Sequence, residues 1–304
     1  MHSATSLDPA AFVDALNAVF GPQNGNRASH AKGLFLEGDF EANGRAAAIT
    51  RAPHLETGRR SRVLARFSVG GGNPRASDKA RSVRGLALRF DFGEGSTDLV
   101  MMSAPVFFIR HPAHFVDYFE ARRPDAATGL VDPERIAAFN ASHPDTRPHI
   151  EHLASVAPPA SYATSPYFAI HAFRFIDKGD QTVHARWHME PLAGRKSLDE
   201  TGLSTLPDDF LAEELATRLS MGPVEFELWL QIAEDGDALD DPTVTWPMDR
   251  AQLNVGRLRL TAFVHPSQDV MFNPMALVDG IEASNDPVLR ARLAAYRVSR
   301  ERRT

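Results

Sequence analysis

Alternation of apolar and polar residues with a period of two dominates this chain. The clearest case is VEFELWLQI, Val224–Ile232, in which every second residue is apolar. That spacing places one face of a β-strand against a core and the other towards polar surroundings. The same pattern recurs at 33–41, 62–68, 85–92, 167–175, 183–189 and 256–264. Seven or eight strands with few intervening helices favour an antiparallel barrel over a parallel sheet.

Helical periodicity is restricted to fewer segments. Asp8 and Pro9 are start signals for a helix that runs to Phe20, with Phe12 and Leu16 on its apolar face. Further helices are predicted over 112–122, 133–142 and 211–220. The stretch 143–164 contains four prolines, and we expect a long irregular connection there. No segment has the composition of a linker, so the pattern predicts a single domain over residues 1–304.

Residues 286–303, DPVLRARLAAYRVSRERR, have the features of a complete helix. Asp286 can cap the N-terminus, and Pro287 suits the first helical position because its missing N–H is not needed there. Arg292 and Tyr296 lie four residues apart and therefore on one face. A guanidinium beside a phenol favours its ionised form, and a phenolate is one of the few protein ligands of haem iron. The alternative is an ordinary amphipathic helix with a packed tyrosine.

Composition narrows the function classes. The chain has 304 residues, 43% of them hydrophobic, and a formal net charge of -6, so nucleic-acid binding is not expected. It contains no cysteine, which excludes disulfides, zinc–thiolate sites, cysteine nucleophiles and thiolate-ligated haem. No apolar run is long enough to span a membrane. No signal peptide is visible, which favours the cytoplasm, or the periplasm if a leader has been removed.

Five motifs, in the same order along the chain, are similar to those of the haem catalase family. They are RASHAKG at 27–33, RFSVGG at 66–71, RGLALRF at 84–90, DLV…PVFFIRHPAHF at 98–115 and the pair Arg292 and Tyr296. The resemblance implies an α+β fold, namely an antiparallel eight-stranded barrel with surrounding helices, and a haem b cofactor. The sequence continues for only eight residues after Tyr296, so we expect no helical C-terminal region. In this it resembles the small catalase-related peroxidases.

The resemblance also implies roles for residues on the peroxide side of haem. His30 matches the distal histidine, which takes a proton from the near oxygen of the peroxide and returns it to the far one. Ser68 matches the serine that hydrogen-bonds this histidine. Without the resemblance, His30 is a structural histidine in a turn and Ser68 an ordinary strand serine.

On the opposite side of the ring, the resemblance makes Tyr296 the axial ligand of iron. Arg292 then keeps Tyr296 ionised, and His171 and Asp286 continue the network behind Arg292. Taken alone, His171 is a histidine buried in a strand, and Asp286 is a helix cap. The two interpretations of Asp286 are compatible.

Three arginines and two aromatic residues complete the implied haem pocket. Arg27, Arg66 and Arg303 match residues that pair with haem propionates, a task suited to bidentate guanidinium groups. Phe107 and Phe115 fall where the family packs aromatic rings near haem. The alternatives are solvated surface charges and core phenylalanines.

The family pattern is interrupted at Met102, which stands where catalases have a distal asparagine. An amide donates hydrogen bonds, whereas a thioether is at most a weak acceptor. Ser29 and Gly70 also stand in place of bulkier residues, and both changes predict a roomier access route. HPAH at 111–114 has a spacing seen in metal sites, but a metal site is not our prediction.

The leading hypothesis is therefore a haem peroxidase with weak catalase activity. Its partners are a small-molecule peroxide, either hydrogen peroxide or an organic hydroperoxide, and an organic electron donor. The alternatives are a hydroperoxide isomerase or dehydratase similar to allene oxide synthase, a haem-binding protein without turnover, and a generic ligand-binding barrel. A homodimer is compatible with the sequence, which does not fix the oligomeric state.

Overall fold

Ten antiparallel strands form one continuous sheet in the computed structural model, which describes residues 8–22, 25–267 and 269–304. The strands are β1 (Gly33–Ala42), β2 (Arg60–Val69), β3 (Arg84–Asp91), β4 (Ser96–Met102), β5 (Tyr167–Phe168), β6 (Phe173–Ile176), β7 (Thr182–Pro191), β8 (Val224–Ile232), β9 (Gln252–Val264) and β10 (Ile281–Ala283).

Eight of these strands close into a barrel. Their order is β7-β5-β4-β3-β2-β1-β9-β8, and β8 pairs again with β7 to complete the ring. Strand β6 pairs with β7 beyond the end of β5, and β10 extends the sheet by pairing with β6. The α+β fold with an antiparallel eight-stranded barrel is thus confirmed.

Seven α-helices lie around the barrel in the described part of the chain. They are α1 (Pro9–Phe20), α2 (Phe115–Glu120), α3 (Pro133–Ser142), α4 (Arg147–Ser155), α5 (Glu200–Ser204), α6 (Phe210–Met221) and α7 (Pro287–Glu301). Short 3₁₀ turns cover Arg45–Ala48, Pro53–Leu55, Pro112–His114, Pro144–Thr146 and Tyr162–Thr164. No described helix has both the length and the apolar character needed to cross a bilayer.

The barrel interior is the hydrophobic core, and strand alternation decides which residues enter it. In β2, Ala65 and Phe67 are fully buried inside, whereas Arg66 and Ser68 belong to the opposite face. In β8 the inward residues are Val224, Phe226, Leu228 and Leu230. The polar alternate positions are therefore free to build a site on the outside of the barrel.

The first and last helices meet on this outer side. Helix α1 packs against α7, and Arg302 forms an ion pair with Asp14 at 2.5 Å. The N–H of Ala28 donates to Oγ of Ser299 at 3.3 Å. The segment that carries His30 is thereby joined to the helix that carries Tyr296.

Two sequence predictions are wrong in part. The expected continuous strand 167–175 is divided, because residues 169–172 leave the ladder between β5 and β6. The stretch 143–164 is not wholly irregular, since α4 occupies Arg147–Ser155. Pro148 stands in the first turn of α4, where proline replaces an N–H that has no helical partner.

Candidate active site

His30 and Ser68, termed here the distal pair, approach each other on the outer face of the barrel. Nδ1 of His30 lies 3.0 Å from Oγ of Ser68. His30 has a positive φ of 53°, an uncommon conformation for a residue with a side chain. The next residue, Ala31, fixes the turn, because its N–H donates to the carbonyl of Gly71 at 3.1 Å.

Gly85 makes the space for this pair. A Cβ atom at position 85 would lie 2.5 Å from Oγ of Ser68 and 2.8 Å from Nδ1 of His30. Both distances are shorter than those of real Cβ atoms, so a side chain at position 85 would have to displace Ser68 or His30. Gly85 stands opposite Ser68 in the ladder between β2 and β3, which explains the close approach.

The surroundings of His30 favour its neutral form. Burial, together with the positive charges of Arg66 and Arg292, lowers the pKa of His30 to about 4. The imidazole is therefore uncharged at neutral pH and can accept a proton.

Four residues, termed here the proximal relay, form a chain of hydrogen bonds that ends at Tyr296. Arg292 donates twice to Oη of Tyr296, from Nε at 3.1 Å and from Nη2 at 2.6 Å. Nη1 of Arg292 donates to Nε2 of His171 at 2.9 Å. Nδ1 of His171 lies 2.5 Å from Oδ2 of Asp286.

The relay fixes the tautomer of His171. A guanidinium has only donors, so Nε2 of His171 must accept and the ring proton must lie on Nδ1. Nδ1 then donates to Asp286, whose other oxygen accepts from the backbone N–H groups of Val288 and Leu289 at 2.8 and 3.2 Å. Burial lowers the pKa of His171 to about 4, in agreement with a neutral ring. Asp286 thus both caps α7 and ends the relay.

Three arginines converge beside Phe35 and Val270. Arg27 and Arg303 both donate to the carbonyl of Val270, at 2.7 and 2.9 Å. The guanidinium groups of Arg27 and Arg66 lie 5.3 and 5.5 Å from the centre of the Phe35 ring. The sequence had suggested these arginines separately, and the fold brings them together.

Two members of this arginine cluster, Arg27 and Arg66, are in surroundings that disfavour their positive charge. Burial and mutual repulsion lower the pKa of Arg27 to about 9, and burial lowers that of Arg66 to about 10. Neither residue forms an ion pair within the described residues, and Nε of Arg66 is buried without a hydrogen-bond partner there. Gly33 leaves room for Arg66, because a Cβ atom at position 33 would lie 2.6 Å from the Arg66 guanidinium carbon. The cluster therefore suits an anionic ligand with more than one carboxylate.

The two phenylalanines occupy different surroundings. The Phe107 ring centre lies 6.5 Å from that of His171, so Phe107 borders the proximal relay. Phe115 packs against Phe12 at 5.1 Å, in a small apolar cluster that includes Val298 of α7. Phe115 thus supports the contact between α1 and α7.

Met102 ends β4 beside the distal pair. It stands opposite Gly85 in the ladder between β3 and β4, and its neighbour Met101 is buried in the barrel core. The thioether of Met102 offers no hydrogen-bond donor to this region. At Gly70 a Cβ atom would lie 2.8 Å from Cγ2 of Val83, so Val83 packs closely against this glycine. The roomier access route stays a prediction.

Sequence reasoning missed the supporting residues around these groups. Gly33, Gly85 and Phe35 all lie inside or beside motifs that we quoted, yet only strand pairing shows what each of them approaches. Among the described residues, the HPAH histidines do not belong to any group of three or more His, Asp or Glu side chains placed to hold a metal ion.

Comparison with known proteins shows which sequences this chain is similar to. A family model described as Catalase matches residues 4–304. The chain is similar to a protein named catalase-related peroxidase from Synechococcus elongatus, with 39% identity over 99% of this chain and 90% of the relative. A second catalase-related peroxidase, from Mycolicibacterium paratuberculosis, is 38% identical over 98% of this chain and 95% of the relative. A catalase from Vibrio cholerae is 30% identical over 97% of this chain and 62% of the relative.

Proposed function

Because this chain belongs to the catalase family, we propose that it is a haem b peroxidase that reduces hydrogen peroxide or organic hydroperoxides with an organic electron donor. The observation that carries this proposal is the distal pair, a neutral histidine held at 3.0 Å from Ser68 beside a glycine that cannot be replaced without a clash. A site that only stored haem would not need a positioned base.

The arginine cluster supports haem as the cofactor. Haem carries two propionates, and Arg27, Arg66 and Arg303 supply three guanidinium groups at one edge of the site. The unpartnered Nε of Arg66 and the lowered pKa values of Arg27 and Arg66 indicate that an anion would stabilise this arrangement. The residues present therefore fit the group that the family implies.

On the proximal side, Tyr296 is the residue that would hold the iron. Two donated hydrogen bonds from Arg292 stabilise negative charge on Oη of Tyr296. His171 and Asp286 orient Arg292 from behind, so the guanidinium cannot turn away from the phenol. Haem, when bound, supplies the redox chemistry, because it can give two electrons to the peroxide and regain them from the donor.

On the distal side, His30 is the residue that would move the proton. If the ring proton of His30 is on Nδ1 and is donated to Ser68, then Nε2 is free to accept a proton from the near oxygen of a hydroperoxide. Delivery of that proton to the far oxygen lets the O–O bond break with loss of water or an alcohol. Such acid–base help contributes typically about 10²- to 10⁴-fold to a rate.

Met102 supports a peroxidase with weak catalase activity. Oxidation of a second hydrogen peroxide requires a very small substrate to be aligned by preorganised donors, and a thioether cannot donate. Loss of one such donor costs on the order of 10²- to 10³-fold in comparable sites. A larger organic donor has contacts of its own and depends less on that group.

The test is an absorption spectrum of the haem-loaded protein before and after peroxide, together with turnover of a phenolic donor. We expect a haem spectrum typical of phenolate ligation, a spectral change with peroxide, and donor oxidation that exceeds oxygen evolution. A haem-loaded protein whose spectrum does not respond to peroxide would contradict the proposal. Rearrangement of a lipid hydroperoxide without added reductant would instead indicate an isomerase.

A further inference from the structure

Three aromatic rings stack in a row across the outside of the barrel. Phe168 in β5, His188 in β7 and Trp229 in β8 are cross-strand neighbours. The ring centres of Phe168 and His188 are 6.2 Å apart with planes 23° from parallel. Those of His188 and Trp229 are 6.3 Å apart with planes 16° from parallel.

This aromatic row continues the line of residues that holds the distal pair. Ser68 pairs with Gly85, Gly85 with Met102, and Met102 with Phe168. Directly paired residues in an antiparallel sheet project to the same face. One line across the sheet therefore runs from Ser68 to Trp229, and Trp229 lies three strands from Met102, about 15 Å at the usual strand spacing.

Trp229 differs from the other tryptophans of the chain, which has three in all. Trp187 and Trp246 are only 5% and 3% exposed, whereas Trp229 is half-buried and reaches the surface. The indole N–H of Trp246 donates to the carbonyl of Ala238 at 2.8 Å. In contrast, the indole nitrogen of Trp229 is buried without a partner among the described residues.

The unpartnered indole nitrogen matters for redox chemistry. An indole that loses an electron becomes acidic at its N–H and normally passes the proton to a nearby acceptor. Because neither solvent nor a described side chain accepts from the Trp229 nitrogen, the proton stays there. The oxidised ring then keeps its positive charge and remains a strong oxidant.

We propose that Trp229 is the entry point for electrons from bulky phenolic donors, which bind at the barrel surface without entering the pocket. This inference rests on the proposed peroxidase function. Reduction of a hydroperoxide ROOH to ROH and water consumes two electrons and two protons. Trp229 passes on one electron at a time, and each of two phenol molecules restores it by losing one electron and one proton to become a phenoxyl radical.

The experiment uses the haem-loaded protein and hydrogen peroxide in the absence of a donor. Rapid freezing followed by electron paramagnetic resonance should detect an organic radical whose spectrum narrows when the tryptophans carry deuterated rings. Trp229→Phe keeps an aromatic ring in the row and should abolish that signal. The matched controls Trp187→Phe and Trp246→Phe should retain it.

A second measurement compares two donors. Oxidation of tyramine attached to dextran, which is too large to enter the pocket, should fall at least tenfold in Trp229→Phe, whereas oxidation of free hydroquinone should be unchanged. Persistence of the radical, or wild-type oxidation of the dextran donor by Trp229→Phe, would overturn the inference and leave the peroxidase function intact. If the wild-type protein oxidises neither donor with peroxide, the proposed function itself fails.

Discussion

Gly85 lies against the ring of His30, so closely that a Cβ atom at position 85 would be 2.8 Å from Nδ1. The same atom would be 2.5 Å from Oγ of Ser68. The distance between His30 and Ser68 therefore depends on the absence of a side chain from the third strand of the barrel.

Gly85→Ala should separate the distal pair while leaving Tyr296, the proposed iron ligand, untouched. We expect the reaction with peroxide to slow by roughly 10²-fold or more, the range for loss of an acid–base residue. Stopped-flow absorption measures this rate, and the haem spectrum reports loading. Gly179→Ala is the control, because a Cβ atom at that exposed position approaches nothing closer than 3.4 Å. An unchanged rate in Gly85→Ala would mean that the pair is not needed.

The pH dependence should report the neutral form of His30. Because the pKa of His30 is lowered to about 4, the rate of reaction with peroxide should stay level down to about pH 5 and fall as the pH passes through 4. Protonation removes the base, so the loss occurs on the acid side.

His30→Ala identifies the group responsible for this profile. The variant should retain haem and react with peroxide at least about 10²-fold more slowly. Its rate should no longer fall as the pH passes through 4. The rates are measured directly after a pH jump, because acid also unfolds the protein and a short exposure limits that unfolding. Below about pH 6.5, His30 binds a proton in the unfolded chain but remains neutral in the folded protein, so the free energy of unfolding decreases there. Wild-type rates in His30→Ala would assign the proton to another group.

Tyr296→Phe removes the proposed iron ligand and the acceptor of the two hydrogen bonds that Arg292 donates to it. We expect weak haem binding, or a spectrum typical of another axial ligand, measured by absorption during haem titration. Tyr118→Phe, outside the relay, should bind haem normally. A phenolate spectrum that survives in Tyr296→Phe would contradict the assignment.

Met102→Asn should restore a donor beside the distal pair. Oxygen evolution from hydrogen peroxide should rise by roughly 10-fold or more, since one preorganised donor is worth about 10²- to 10³-fold in full, while haem binding remains. An oxygen electrode measures the change, and Met101→Leu in the barrel core is the control. If native oxygen evolution already exceeds donor oxidation, the argument from Met102 is wrong.

The strands with clear alternation were predictable from sequence, because each buries one face in the barrel. Val224–Ile232 was predicted with the observed bounds. The division of the strand after Phe168 was not predictable from local pattern. There, residues 169–172 leave the ladder and His171 reaches Asp286, a partner 115 positions away along the chain.

The candidate site was predictable wherever a motif carried the residue, as for His30 and Tyr296. The geometry of the site was not predictable, because the contacts of Gly85 and Phe35 depend on how the strands pair. The spacing of residues within one strand does not encode that pairing. The sequence also does not tell which ring nitrogen of His171 carries the proton. That assignment follows from the 2.9 Å contact between Nη1 of Arg292 and Nε2 of His171.

The contact between α1 and α7 has a consequence for the order of assembly. His30 is synthesised long before Tyr296, yet Ala28 and Ser299 touch across 271 positions. Closure of so long a loop carries an entropic cost that local contacts cannot offset in advance. If Tyr296 holds the iron as proposed, the iron ligand is in place only after α7 has docked, and haem bound between α7 and the arginine cluster would stabilise the closed form by mass action. We therefore expect cofactor capture to be coupled to the docking of α7 rather than to the formation of the barrel.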